Sequence, residues 1–263
     1  GRGEFSKSVG ARDSERIRSY LDVGYSFDSL NPDDYIAGFP MHPHRGIETV
    51  SYVYKGRMVH KDTLGNEDEI SDGEVQWMNS GSGIEHEEKI PAVERLLGVQ
   101  LWLNLPKSAK MSKPTYHSIR KSDIEEIEFD RGKIRILTGN YKSYQGYKGD
   151  HLPLNYYDIH MYENAEITLD TLEDTSVMIF TLIGDVYVGG ERIKEKTAVK
   201  LTSGNELIIK NADKFAQVLF IESKALNEPV AWAGPIVMNT QEEIREAYID
   251  LHNATFIKDN IRY

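Results

Sequence analysis

Short β-forming segments separated by regular turn signals restrict the fold of this chain more than any other feature of its sequence. Segments such as 47–54 (IETVSYVY) and 96–103 (LLGVQLWL) are rich in β-branched, aromatic and aliphatic residues, and Gly, Asn, Asp or Ser residues lie between successive segments. Short strands at this spacing are typical of a β-sandwich or a β-barrel. The sequence therefore predicts an all-β fold.

The strand pattern occurs twice along the 263 residues. In each half a strand ends at a glycine, Gly56 or Gly184, and a Ser/Gly break follows later, at 80–83 or 203–204. A chain of this length can form two domains. We therefore predict two antiparallel β lobes.

The predicted lobes span residues 6–120 and 121–263, and the polar segment 107–130 is expected to link them. Near the C-terminus, residues 240–243 (TQEE) have the form of a capping box, which predicts a helix. We assign this helix to the second lobe, with Ile244, Tyr248 and Leu251 on its apolar face.

Composition argues against several classes of function. The chain has no cysteine, so disulfides, thiolate metal sites and cysteine nucleophiles are excluded, and imidazole and oxygen remain as strong metal ligands. Its net charge of −11 disfavours direct contact with nucleic acid or an anionic membrane surface. No apolar stretch approaches the ~18 residues of a spanning helix. We expect a cytoplasmic protein.

Two short motifs carry the candidate chemistry. In His42-Pro43-His44 the histidines are two residues apart, so both imidazoles face the same side of an extended segment. In the segment 84–88 (IEHEE), His86 and Glu88 share a face in the same way. If the two strands converge inside one lobe, they supply three imidazoles and one carboxylate. This set suits Fe(II), Mn, Ni, Cu or Zn and disfavours Ca and Mg.

Taken singly, each motif also has a simpler interpretation. An isolated His-x-His pair is more often a surface pair or a core histidine, and the acidic run after His86 is more often a solvated edge. Their combination on strands of one lobe favours a metal site. His60 is expected either to line the pocket or to be structural, and four further histidines show no ligand spacing: His117, His151, His160 and His252.

The residues around these motifs resemble the pirin family of the cupin superfamily. The resemblance is carried by 39–50 (FPMHPHRGIETV) and continues through 75–78 (VQWM) and 81–88 (GSGIEHEE). It implies two cupin-type β-barrel or jelly-roll lobes with one metal ion, typically iron, in the first lobe. The ligands implied are His42, His44, His86 and Glu88. Glu48 is expected behind these ligands, and the second lobe is expected to hold no metal.

The resemblance implies two classes of function. The first is an oxidation of the quercetin dioxygenase type, in which Fe(II), or else Mn, Ni, Cu or Zn, binds a flavonol and O₂ while Glu88 accepts the flavonol hydroxyl proton. The second is a metal-dependent interaction or regulatory protein without turnover, whose partner is a transcription factor or a metabolic enzyme. A purely structural metal is a third alternative. The sequence does not separate them, because all three use the same ligands.

Overall fold

The computed structural model describes residues 21–29, 38–91 and 93–259, with the backbone alone described for 21–29. Residues 6–20 of the predicted first lobe lie outside this range. The described chain forms two compact units. We call residues 21–121 together with 226–259 the first lobe, and residues 122–225 the second lobe. Both are built from strands, which confirms the predicted all-β class.

The first lobe carries nine strands along its N-terminal part, within the described residues. They are β1 Leu21–Ser29, β2 Phe39–His44, β3 Ile47–Lys55, β4 Met58–Asp62, β5 Glu67–Ile70, β6 Glu74–Asn79, β7 Ile84–Lys89, β8 Leu96–Asn104 and β9 Thr115–Ile119. A five-stranded sheet has the order β1-β8-β3-β6-β9, and a four-stranded sheet has the order β2-β7-β4-β5. All neighbouring strands pair antiparallel.

The second lobe repeats this arrangement. Its strands are β10 Glu125–Phe129, β11 Gly132–Thr138, β12 Asn140–Tyr141, β13 Tyr144–Gln145, β14 Leu154–Tyr162, β15 Glu166–Asp170, β16 Thr175–Ile183, β17 Val186–Val188, β18 Glu191–Ile193, β19 Ala198–Lys200, β20 Glu206–Asn211 and β21 Phe215–Lys224. A six-stranded sheet (β10-β11-β14-β21-β16-β19) accompanies a four-stranded sheet (β15-β20-β17-β18) and the small hairpin β12-β13. The four-stranded sheets of both lobes connect their strands in the same order, as the repeated pattern predicts.

The interior of the second lobe is apolar. Its four-stranded sheet contributes alternate residues from three adjacent strands to one hydrophobic cluster: Ile167, Leu169, Val186, Val188, Leu207 and Ile209. Burying aliphatic side chains in this way stabilises a lobe by roughly 1.5–3 kcal/mol per fully buried residue. The corresponding strands of the first lobe carry polar residues instead.

The last part of the first lobe comes from the C-terminal segment 226–259. It contains β22 Ala231–Ala233, β23 Ile236–Met238 and the helix α1 Gln241–His252. The capping box is confirmed, since the Thr240 hydroxyl accepts a hydrogen bond from the Glu243 amide and the Glu243 side chain reaches back to Thr240. Among the described residues no helix combines the length and apolar character that crossing a bilayer requires.

The helix differs from its predicted placement. Ile244 and Ala247 pack against the hairpin β22–β23 and Phe256, so the helix lies with the first lobe and not with the second. Tyr248, expected on the apolar face, is 45% exposed. The sequence shows that a helix has an apolar face, but it does not show which sheet that face covers.

The predicted linker 107–130 also differs from the structure. It contains β9 and β10, besides short 3-10 turns at Lys107–Ala109 and Lys121–Asp123. Both strands lie at the edge of their sheets and leave alternate side chains exposed. Edge strands carry polar side chains to avoid further pairing, which is why this segment resembles a linker in its composition.

Candidate metal centre

The four-stranded sheet of the first lobe carries three pairs of polar residues on adjacent strands. Because side chains alternate along a strand, the two members of each pair face the same side of the sheet. Each pair is separated by one residue: His42 and His44 on β2, His86 and Glu88 on β7, and His60 and Asp62 on β4.

The strand register brings these pairs side by side. His86 lies opposite His42 on one side and opposite Asp62 on the other. Glu88 lies opposite His60. Residues that face each other across an antiparallel pair have Cβ atoms about 4.5–5.5 Å apart, close enough for their side chains to interact. The sheet therefore assembles one polar cluster from three short motifs.

Three of the four predicted ligands converge. Donor atoms of His42, His44 and His86 all lie within 4.8 Å of one another. The Nε2 atoms of His42 and His44 are 3.1 Å apart. Two imidazole nitrogens that bind one ion at about 2.1 Å and at right angles are separated by about 3.0 Å, so this spacing matches that of neighbouring ligands.

Backbone carbonyls fix the tautomers of two of these rings. The Nδ1 atom of His42 is 2.8 Å from the Pro40 carbonyl oxygen, and that of His44 is 3.1 Å from the Pro235 carbonyl oxygen. A carbonyl only accepts, so each Nδ1 carries the proton and each Nε2 presents a lone pair. Metal-binding histidines are usually held by such a bond on their other nitrogen.

Burial keeps the imidazoles of His44 and His86 neutral. It lowers the pKa of His44 to about 3, with a further contribution from His42 and a partial offset from the Pro235 bond. Burial, together with the neighbouring His44, His42 and His60, holds the pKa of His86 well below its usual range. The Nε2 atom of His86 is buried and has no hydrogen-bond partner. A neutral imidazole with an unused lone pair is what a transition ion requires of its ligand.

Glu88 is buried beside the three histidines but does not belong to the set of atoms within 4.8 Å. Its carboxylate accepts hydrogen bonds from Gln76 Nε2 at 3.0 Å and from Gln100 Nε2 at 2.9 Å. Gln100 is oriented in turn by Trp102, whose Nε1 donates to the amide oxygen. Burial raises the pKa of Glu88, an effect that bonds from these amides and the nearby histidines oppose only in part.

The two glutamines come from the facing five-stranded sheet. Both lie opposite Ser51, so Gln76, Ser51 and Gln100 form one row across β6, β3 and β8. The cluster thus lies between the two sheets of the first lobe. His42 is the half-buried member of the three histidines, whereas His44 and His86 are buried, so access to the cluster is from the His42 side.

Buried charges hold the loop that follows His44. The Arg45 guanidinium donates to the Ser82 and Phe256 carbonyl oxygens and pairs with Asp250 at 2.9 Å. The Lys110 ammonium donates to the Gly46 and Val237 carbonyl oxygens. At Gly46, where φ is +81°, a Cβ atom would lie 2.0 Å from the Val237 carbonyl oxygen. The C-terminal segment is therefore part of the frame around the cluster.

The remaining histidines lie outside this cluster. His117 is exposed on β9, and His160 pairs with Asp158 in the second lobe at 3.0 Å. Glu48 is buried on β3 and is not one of the three converging residues. Sequence analysis missed Asp62, Gln76 and Gln100. The His60-Lys61-Asp62 motif has the same two-residue spacing as the recognised pairs, whereas the glutamines give no signal before strand register is known.

Comparison with known proteins agrees with this architecture. Family models for pirin and for the pirin C-terminal cupin domain match residues 11–103 and 156–257. Human pirin is 35% identical over 262 residues, covering 95% of this chain and 90% of its own length.

The chain belongs to the pirin family. Ta0133 of Thermoplasma acidophilum, provisionally named a quercetin 2,3-dioxygenase, is 35% identical over 254 residues, or 89% of this chain and 97% of that protein. The crystal structure of a quercetin 2,3-dioxygenase from Acinetobacter baumannii has a TM-score of 0.80 and 34% identity, covering 90% of this chain and 84% of that one. This pirin-family chain therefore has the two-domain cupin fold, with a histidine cluster in its first lobe that fits a metal ion.

Proposed function

We propose that the first lobe binds one divalent transition metal ion, iron(II) by preference, and catalyses the oxygen-dependent opening of a flavonol ring. The observation that carries this proposal is the facing pair of Nε2 atoms on His42 and His44, whose other nitrogens are both held by carbonyls. His86 supplies a third imidazole and Glu88 is the fourth proposed ligand. Mn, Ni, Cu and Zn are the alternatives that these donors accept.

The bound ion would supply Lewis acidity and one-electron redox chemistry. The protein supplies binding and proton transfer. Four ligands leave room for a substrate that presents neighbouring hydroxyl and carbonyl oxygens, as a flavonol does. Two aromatic rings lie beside the proposed ligands: Phe39, whose centroid is 6.3 Å from that of His42, and Trp102, whose centroid is 5.2 Å from that of His44. Both offer apolar surface to a flat aromatic substrate.

Glu88 is the proposed acceptor of the flavonol hydroxyl proton. A carboxylate has about four lone-pair positions, and bonds from Gln76 and Gln100 use three of them. One position on Oε2 stays open, and it serves either the metal ion or the substrate proton, so Glu88 accepts the proton only when this oxygen is not bound to the metal. The raised pKa that burial gives Glu88 makes it a better base than an exposed glutamate.

Oxygen consumption tests this proposal. Protein loaded anaerobically with iron(II) is mixed with quercetin, and O₂ uptake and carbon monoxide release are recorded. We expect wild-type protein and His117→Ala each to release one carbon monoxide for every O₂ consumed. His86→Ala should neither consume O₂ nor release carbon monoxide. Absence of uptake by metal-replete wild-type protein with every flavonol tested would contradict a dioxygenase function.

A metal-dependent interaction protein is the second candidate. Trp232, Tyr248 and Ile249 are exposed in the same C-terminal segment whose Pro235 carbonyl holds His44, and the Tyr248 hydroxyl donates to the Ala233 carbonyl oxygen. An ion bound to His44 is thus connected to a surface with exposed apolar side chains. A pull-down that compares metal-free with metal-loaded protein, with Trp232→Ala as the control, separates this candidate from an enzyme: a partner retained only by the loaded form, without oxygen uptake, supports it.

A further inference from the structure

His60 connects a buried carboxylate to a histidine of the cluster. Its Nε2 atom is 2.8 Å from Asp62 Oδ2, and its Nδ1 atom is 3.3 Å from His86 Nδ1. The side chains of both His60 and Asp62 are fully buried. Neither His60 nor Asp62 is in the group of converging donors, which His42, His44 and His86 form.

The direction of each hydrogen bond follows from the carboxylate. Both oxygens of Asp62 face donors, since Oδ1 accepts from the backbone amides of Leu64 and Asn66 and Oδ2 accepts from the Asn66 side-chain amide at 2.9 Å, so this carboxylate is an acceptor. With a single ring proton, His60 carries it on Nε2, toward this carboxylate, and accepts at Nδ1. His86 consequently donates from its own Nδ1, and the lone pair of its ring lies on Nε2.

We propose that Asp62 and His60 are positioning residues that fix the tautomer of His86 and thereby present its Nε2 lone pair to the metal ion. They would do for His86 what the carbonyls of Pro40 and Pro235 do for His42 and His44. The inference rests on the proposed metal site, but the tautomer itself is a property of the metal-free protein.

Neighbouring residues hold Asp62 and His60 in place. The other carboxylate oxygen of Asp62, Oδ1, accepts from the backbone amides of Leu64 and Asn66 at 2.9 and 3.1 Å. The His60 ring stacks on Tyr116 with centroids 4.3 Å apart, and the Tyr116 hydroxyl donates to Asp68. Neither the carboxylate nor the imidazole is free to turn.

These anchors determine what Asp62→Asn does. The two backbone amides and the Asn66 side-chain amide, which is also within 3.2 Å of Oδ1, require an acceptor, so the asparagine carbonyl oxygen takes the place of Oδ1 and its NH₂ group faces His60. His60 must then accept at Nε2 and donate from Nδ1, and His86 must accept at Nδ1 and carry its proton on Nε2. The substitution therefore reverses the direction of both hydrogen bonds of His60. It leaves His86 without a lone pair on Nε2, the nitrogen that would bind the metal ion.

Long-range ¹H–¹⁵N correlation spectra of metal-free protein labelled in histidine test this directly, with His86→Gln to assign the signals. Wild-type protein should show His86 protonated at Nδ1, and Asp62→Asn should show it protonated at Nε2. Chelator competition should show metal affinity about 10–100-fold weaker in Asp62→Asn, the range typical of changes behind a metal ligand.

Asp158→Asn is the control, since it makes the same change in the buried His160–Asp158 pair of the second lobe, which lies outside the histidine cluster. It should change the affinity less than threefold and leave the tautomer of His86 as it is. Protonation of His86 at Nε2 in the wild-type protein would overturn the inference, even if the Asp62 variant did not fold. Failure of flavonol turnover, with the predicted tautomers present, would count against the proposed function alone.

Discussion

His44 and His86 must remain neutral in the folded chain, although an unfolded histidine has a pKa near 6.5. Between the lowered folded pKa, about 3 for His44, and 6.5, the unfolded state binds protons that the folded state does not. The contribution of these two histidines to the free energy of unfolding is therefore fully present above pH 6.5 and is lost as the pH falls below that value. Within this pH range, each such histidine lowers the free energy of unfolding by about 1.4 kcal/mol for every unit by which the pH falls.

Denaturant unfolding of chelator-treated protein between pH 7.5 and 4.5 measures this slope. Glu88, with its raised pKa, acts in the opposite sense above its unfolded value of 4.5 and offsets one histidine at most. We expect the free energy of unfolding to fall on acidification, and to fall less steeply in His44→Gln. A stability that is constant or rises toward pH 5 would show that these rings are not buried in neutral form.

Glu88→Gln separates a ligand from a base at the same position. The substitution keeps the volume of the side chain but removes the negative charge that a divalent ion attracts. If Glu88 is a ligand, metal affinity should fall at least tenfold, in line with the 10–100-fold effects of residues behind the ligands. Isothermal titration with the metal-free variant gives the affinity; an unchanged value would leave Glu88 with the proton-transfer role only.

Single residues could be predicted where their spacing reports a strand face. His42 with His44, and His86 with Glu88, are visible as pairs in the sequence. Gln76 and Gln100 were missed because they meet only through the register of β6 and β8 on β3, which sequence spacing does not encode.

At the scale of elements, Arg45 joins the loop after β2 to the C-terminal segment. Its guanidinium is 3% exposed and satisfies the carbonyls of Ser82 and Phe256 besides pairing with Asp250. Arg45→Met leaves those buried acceptors without donors and should lower the free energy of unfolding by about 3 kcal/mol.

Arg245→Met is the matched control for that substitution. Arg245 lies on α1, is 65% exposed and pairs with the exposed Glu242. A surface ion pair of this kind contributes little, so the change should stay within about 0.5 kcal/mol. Equal losses in both variants, measured by urea unfolding, would contradict the role assigned to the buried arginine.

Elements were predictable where their signal is local. The capping box at Thr240 identified α1, and the β-branched runs identified the central strands. The edge strands β9 and β10 were missed because their polar side chains match those of a linker, and the placement of α1 was wrong because an apolar helix face does not specify its partner.

At the scale of the molecule, one sheet arrangement serves two purposes. The inward positions of the four-stranded sheet are aliphatic in the second lobe and carry His, Asp and Glu in the first. The repetition could be predicted from turn spacing. The contrast between a packed interior and a polar one could be seen only once residues were assigned to strand faces.

This contrast predicts that metal stabilises the first lobe. A ligand that binds only the folded state stabilises it by about 2.7 kcal/mol at a hundredfold excess over its Kd. Calorimetry of chelated protein should show a lower Tm that metal addition restores, and His86→Ala should show no such restoration. A Tm that does not respond to metal in wild-type protein would argue against a site in this lobe.

Anomalous diffraction from crystals of protein purified without chelator tests the metal centre most directly. The account predicts one anomalous peak at the absorption edge of the bound metal, about 2.1 Å from the Nε2 atoms of His42 and His44, and its loss in His86→Ala. Metal-replete crystals with no peak at these nitrogens, or with the ion bound elsewhere, would contradict it.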